Sequence, residues 1–144
     1  MDITNIICTS ISTIIGGVTI LVLGQIITRL FIDPLIELRK IIGEVAETMI
    51  YHANIYSNPG AGRKERREET QQILRQKASL LSVRADALLC YNYFSCIKII
   101  PTRKQVKEAY KNLIGISNSV DNGNPEEILI MKKSIQKALN LSEF

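Results

Sequence analysis

From Ile3 to Thr28 the chain carries no charged side chain, and Arg29 is its first cation. As a helix this stretch would be roughly 39 Å long, more than the hydrocarbon core of a bilayer, about 30 Å. A core helix of a soluble protein seldom runs so far without a charge, because one of its faces normally meets water. A secretory signal is the other rival, and it fits poorly. The start, Met1-Asp2, is not basic, the apolar run is about twice the usual length, and no small-x-small site precedes the charged residues. The expected architecture is all-α: one N-terminal transmembrane helix in residues 1–32, then a cytoplasmic four-helix bundle in residues 33–144.

The cations set the expected orientation. All 18 Lys and Arg residues follow Thr28, the nearest being Arg29, Arg39 and Lys40. Cations stay on the cytoplasmic side of a span, so the N-terminus is expected outside and the rest inside, at a bacterial inner membrane. The part after the span holds 13 of the 14 acidic residues and a net charge of +5. That balance suits a domain close to an anionic leaflet and is too small to argue for nucleic acid. About 110 residues suffice for one core. The three cysteines, Cys8, Cys90 and Cys96, make no disulfide framework, and Cys90 and Cys96 are expected as buried, reduced thiols.

Helix signals then follow in series. Asp33-Pro34 reads as a helix start, with a cap oxygen and a first-turn proline. Leu35, Leu38, Ile42, Val45, Met49, His52 and Tyr56 recur in steps of three and four, an apolar seam that should run to Ser57-Asn58-Pro59-Gly60. Because Pro34 follows the span so closely, the two helices are expected to be nearly continuous, with a bend there. The mixed-charge run from Arg63 to Glu69 suits a solvated helix start. Its functional reading is a contact of Arg63, Lys64, Arg66 and Arg67 with lipid phosphate or a protein partner. A long third helix carries Leu74, Ala78, Leu81, Ala85 and Leu88 on one stripe, and an aromatic patch extends it to Pro101. Thr102 and Gln105 have capping-box spacing before a helix with Val106, Tyr110, Leu113 and Ser117 inward. Asn124-Pro125-Glu126-Glu127 opens the last helix, with Ile128, Met131, Ile135, Ala138 and Leu139 on its apolar face.

No constellation of residues looks catalytic, so an enzyme is not expected. The single histidine, His52, lies on an apolar seam. One His and three scattered Cys cannot supply the usual zinc spacings, and there is no phosphate-binding glycine loop or nucleophile elbow. No cofactor or metal is expected.

The first helix carries the most suggestive pattern. At about 100° per residue, Thr9, Ser12, Thr13, Gly16, Gly17, Gly24 and Thr28 share roughly half its circumference. Ile11, Ile14, Ile15, Val18, Leu21, Val22 and Ile26 take the other half. Small residues let helices approach closely in lipid, and hydroxyls can bond between them. Gln25 places an amide within the span, costly unless it meets a partner or water. Thr9, Thr13, Gly16, Gly17, Gly24, Gln25 and Thr28 are thus the candidate oligomer or pore face. The opposing view is that Gly, Ser and Thr are ordinary in membrane helices and that Gln25 snorkels.

The stretches Ile32 to Ala46, Tyr51 to Gly60 and Leu113 to Ser119 resemble a group of small uncharacterised bacterial single-span membrane proteins. In layout, one span before a helical bundle, the chain is also similar to the CRISPR-associated accessory proteins that form membrane pores beside type VI RNA-guided nucleases. Those are described as having a degenerate helical nuclease-like domain. Here Glu47, not Arg, stands five residues before His52, so no Arg-x4-His motif carries over. The likeness implies a membrane pore with an antiviral role. The residues leave two expectations open: a self-assembling pore or membrane-perturbing effector, or a membrane-anchored helical module that recruits a cytoplasmic protein.

Overall fold

A single helix of 49 residues, Ile3–Tyr51, dominates the computed structural model, which describes residues 3–142 with the Ile6 side chain excepted. The acidic Met1-Asp2 start lies outside the described residues. The long helix has three parts: α1 (Ile3–Ile27), a π-helical turn (Thr28–Ile32) and α2 (Asp33–Tyr51). It is long and apolar enough to cross a membrane, with a mean hydropathy of 2.3 in its most apolar stretch. Nothing of that stretch is buried against the rest of the chain.

Asp33-Pro34 does not start a helix, contrary to the sequence expectation. Asp33 has helical backbone angles, and its N–H reaches back five residues to the Thr28 carbonyl. Proline supplies no N–H, and its ring crowds the carbonyl four residues earlier, the Leu30 oxygen. A wider turn relieves that crowding while keeping the rod continuous.

Five further helices follow: α3 (Ala53–Tyr56), α4 (Lys64–Ala87), α5 (Tyr91–Cys96), α6 (Arg103–Ser119) and α7 (Pro125–Leu139). No strand occurs among the described residues. α4 packs on both α2 and α6, and α7 packs on α6. Cross-helix contacts give the directions. Glu37 meets Arg84, Glu44 meets Lys77 and His52 meets Thr70, so α2 and α4 are antiparallel. Arg103 meets Asp86 and Asp121 meets Arg67, so α4 and α6 are antiparallel as well. Asn112 donates to Ser134 at 2.9 Å, and Gly115 lies against Met131, which fixes α7 the same way.

The core follows the stripes legible in the sequence with local shifts: Ala109 and Ile116 are buried on α6 where Tyr110 is only partly so, and Ile41 is buried on α2 where Leu35 and Ile42 are only partly covered. Leu38, Val45, Met49 and Tyr56 from the first seam are fully buried, as are Leu74, Ala78 and Leu81 of α4. From α6 and α7 come Val106, Ala109, Leu113, Ile116, Ile128 and Ile135. The capping box at Thr102 and Gln105 forms with both of its bonds, and the Asn124 side chain accepts from the Glu126 N–H.

The third helix stops at Ala87 instead of running to Pro101. Leu88 turns extended and Cys90 takes a left-handed conformation, φ 52°. This folds the chain back across the end of the helices, so that Leu88, Tyr91 and Ile100 enter the core. A straight helix would have carried all three beyond the packed surface of α2 and α6, alongside the π turn and α1. Because those three take the inside, Cys90 and Cys96 are exposed, correcting the expectation of buried thiols.

Candidate functional site

The candidate oligomer face lies on α1 and its π-helical extension. Thr9, Thr13, Gly16, Gly17 and Gly24 occupy one half of α1, and Thr28 opens the π turn at the foot of that half. A methyl group added at Gly16, Gly17 or Gly24 would meet nothing within 4 Å. Their small size therefore serves no contact inside the chain. The threonine hydroxyls are not idle: Thr9 donates to the Asn5 carbonyl at 2.7 Å, Thr13 to Thr9 at 2.8 Å and Thr28 to Gly24 at 3.0 Å. Each proton is spent within the helix, so these hydroxyls offer a neighbour only lone pairs. Gln25 does not join the group. One residue on from Gly24 it turns by about 100°, onto the half that holds Ile14, Val18, Leu21 and Val22.

The candidate cationic site, Arg63 to Arg67, stands at the end of α2 opposite α1, a full length of α2 away, about 28 Å. That position separates it from any surface that α1 enters. Arg67 is tied up in the fold. Its Nε donates to Asp121 Oδ1 at 2.8 Å, and its Nη1 donates to the Gly60 and Gly62 carbonyls at 3.0 and 2.9 Å. Both glycines have positive φ, which lets the loop curl round the guanidinium. The Arg67 and Gln71 hydrogen bonds hold the Asp121 carboxyl below its ordinary value. Lys64 makes a loose pair with Glu68 at 3.7 Å, while Arg63 and Arg66 line a shallow groove with Asn54 and Ile55.

His52 is buried at the same end, where it separates α2 from α3. The Thr70 hydroxyl gives its proton to the Arg66 carbonyl at 2.8 Å, so it accepts from His52 Nδ1–H at 2.9 Å. Burial, with a smaller contribution from Arg66, pushes the imidazole below its ordinary value, against an opposing pull from Glu69. The unfolded chain therefore binds a proton more readily, and stability present above the ordinary histidine range is lost as pH falls through it. We expect the melting temperature to decline between pH 7 and pH 5, and His52→Asn, which keeps a donor near the Nδ1 position, to flatten that decline. An unchanged slope in the variant would rule His52 out as its source. The depressed carboxylates, Glu44 beside Lys77 and Asp121 beside Arg67, act only at lower pH.

Charge is polarised along the helices, a feature the linear sequence hides. The α1-side half comprises residues 29–43, 79–111 and 133–142, with eleven cations and four carboxylates. The far half, residues 44–78 and 112–132, holds seven cations and eight carboxylates. The same α1 side carries the exposed Leu89, Tyr93 and Ile97. Among the described residues no cluster of His, Cys, Asp and Glu is suited to a metal ion. The chain matches no protein-family model, no curated protein and no solved structure.

Proposed function

We propose that the chain is a single-span membrane protein that self-associates through the small-residue face of α1. The helical domain then sits on the cytoplasmic side of a bacterial inner membrane. The observation that carries this reading is the isolation of α1: its glycines touch nothing in their own chain, and its apolar side chains have no intramolecular cover. Lipid covers such a rod on its Ile/Val/Leu half, and a second copy covers the other half by close backbone approach. Several copies round an axis would form a ring with the helical domains as a four-helix-bundle collar below it. Loss of the ion gradient, as a defence output, is the consequence we assign to that ring. Thr28 stands at its inner mouth, and Gln25, on the opposite half, takes no part in it.

Gly17→Leu should weaken self-association about tenfold or more, a change of ~1.4 kcal/mol. The mass of the detergent-solubilised protein, or energy transfer between labelled copies in vesicles, reads this directly. Ile14→Leu, on the lipid half, should leave association unchanged. If Gly17→Leu assembles as wild type does, the face is not an interface.

A second reading is favoured by the groove between α4 and α6, where Val83 and Ile114 are exposed beside Tyr110 and Ser79. There the helical domain would recruit a cytoplasmic protein and α1 would serve only as a tether.

A further inference from the structure

The connection from α4 to α6, residues 88–102, joins two features that the proposed function leaves unused. The antiparallel packing puts this connection at the end of the helical domain from which α1 projects, since Arg84 meets Glu37 in the first turns of α2. Its outer surface is apolar and aromatic, with Leu89, Tyr93 and Ile97 exposed, while Leu88, Tyr91 and Ile100 anchor it below. The anchoring is firm. The Tyr91 hydroxyl donates to the Pro101 carbonyl at 2.7 Å, and the Arg103 guanidinium lies 4.6 Å from the Tyr91 ring centre while pairing with Asp86 at 3.0 Å. The surroundings are cationic, with Lys98, Lys104, Arg39 and Lys40 in the same half of the domain and few carboxylates to balance them. Three exposed apolar side chains on a rigid mount would be a liability in water. Beside a bilayer they match the boundary layer, where tyrosine and aliphatic groups sit between the acyl chains and the phosphates.

We propose that residues 88–102 form a second membrane contact, resting in the headgroup layer of an anionic leaflet beside the inner end of α1. Leu89, Tyr93 and Ile97 enter the boundary region, and Lys98 and Lys104 meet lipid phosphate. Together with α1 this makes a two-point attachment. It holds the helical domain upright on the membrane and limits rotation about the π turn. The inference rests on α1 being a span, and the test separates the two.

The chain contains no tryptophan, so one introduced indole reports alone. Ile14→Trp, Tyr93→Trp and Tyr51→Trp replace residues that are 65%, 65% and 73% exposed, in α1, in the connection and near the far end of α2. Each full-length variant is reconstituted in phosphatidylcholine–phosphatidylglycerol vesicles whose acyl chains are brominated near the headgroup or near their ends. Far-UV circular dichroism checks each fold, and Leu89→Trp stands in if Tyr93→Trp misfolds. We expect shallow bromine to cut Tyr93→Trp emission by about half, as for an indole buried in the boundary layer. Deep bromine should act most on Ile14→Trp, and Tyr51→Trp should be unaffected. Quenching at position 14 with none at position 93 overturns the second contact and leaves the span standing. No quenching at position 14 overturns the span itself. A blue-shifted but unquenched Tyr93→Trp means that protein, not lipid, covers the patch, which also overturns the assignment.

Discussion

Deleting residues 1–30 should turn a protein that needs detergent into one that dissolves in water with its helical domain intact. Beyond the π turn that joins it to α2, α1 makes no substantial contact with the chain, and no core residue comes from it. Its thirteen Ile, Leu and Val residues favour insertion by about 0.3–0.6 kcal/mol each near the middle of a bilayer, about 4–8 kcal/mol together. Losing them removes the whole drive toward lipid from the span and none of the drive toward folding. The cut also frees Asp33-Pro34 to act as an ordinary capped helix start, which the upstream rod now prevents. The melting temperature should therefore change by a few degrees at most, while flotation is lost with phosphatidylcholine vesicles, which lack the anionic lipid that residues 88–102 are proposed to contact. Grafting an unrelated apolar span in place of residues 1–30 adds a second arm. It should restore flotation without restoring the oligomer if α1 is the assembly element, and restore full activity if α1 is only a tether. A truncated chain that unfolds or aggregates would mean that α1 belongs to the core, and the membrane reading would fail.

How far the sequence could be read follows from the range of the interaction involved. The seam from Leu38 to Tyr56, the α4 stripe and the Thr102 and Asn124 caps depend on neighbours three or four residues away, and periodicity reports them directly. The end of α4 depends on where the surface it packs against, α2 and α6, gives out, and nothing near Ala87 encodes that except the irregular spacing of Leu88, Leu89, Tyr91 and Phe94. Arg67 looked like a free cation because its partner, Asp121, lies 54 positions away. The exposure of Cys90 and Cys96 has the same cause, since the fold-back chooses Leu88, Tyr91 and Ile100 for the inside. The charge asymmetry is non-local too, because the cationic half is assembled from three separate stretches by antiparallel packing. On α1 the small face is legible from the sequence, and Gln25, at the depth of Gly24 but about 100° round the helix from it, lies on the Ile/Val/Leu half.

Within α4, two substitutions two residues apart should differ several-fold in cost. Leu81 is fully buried where α4 packs between α2 and α6, whereas Val83 is 57% exposed beside Ile114. Leu81→Ala removes three buried carbons from a helix that is held on both sides, so the neighbours can collapse only partly. The cost should be about 2–5 kcal/mol. Domains of this size commonly have only about 5–15 kcal/mol in hand, so the variant should lie near the edge of folding and show a sharply lower urea midpoint. Val83→Ala deletes carbons that already meet water, and its effect should stay within about 0.5 kcal/mol. Measured in the residue 31–144 fragment, the pair tests which face of α4 is inside without interference from lipid. Measured again in the full-length protein on vesicles, the pair bears on function. A Val83→Ala penalty that appears only there, and grows with protein concentration, would mean that another protein surface closes over the α4–α6 groove. A penalty absent in both settings leaves that groove open to water, and the tether reading loses the surface on which it depends.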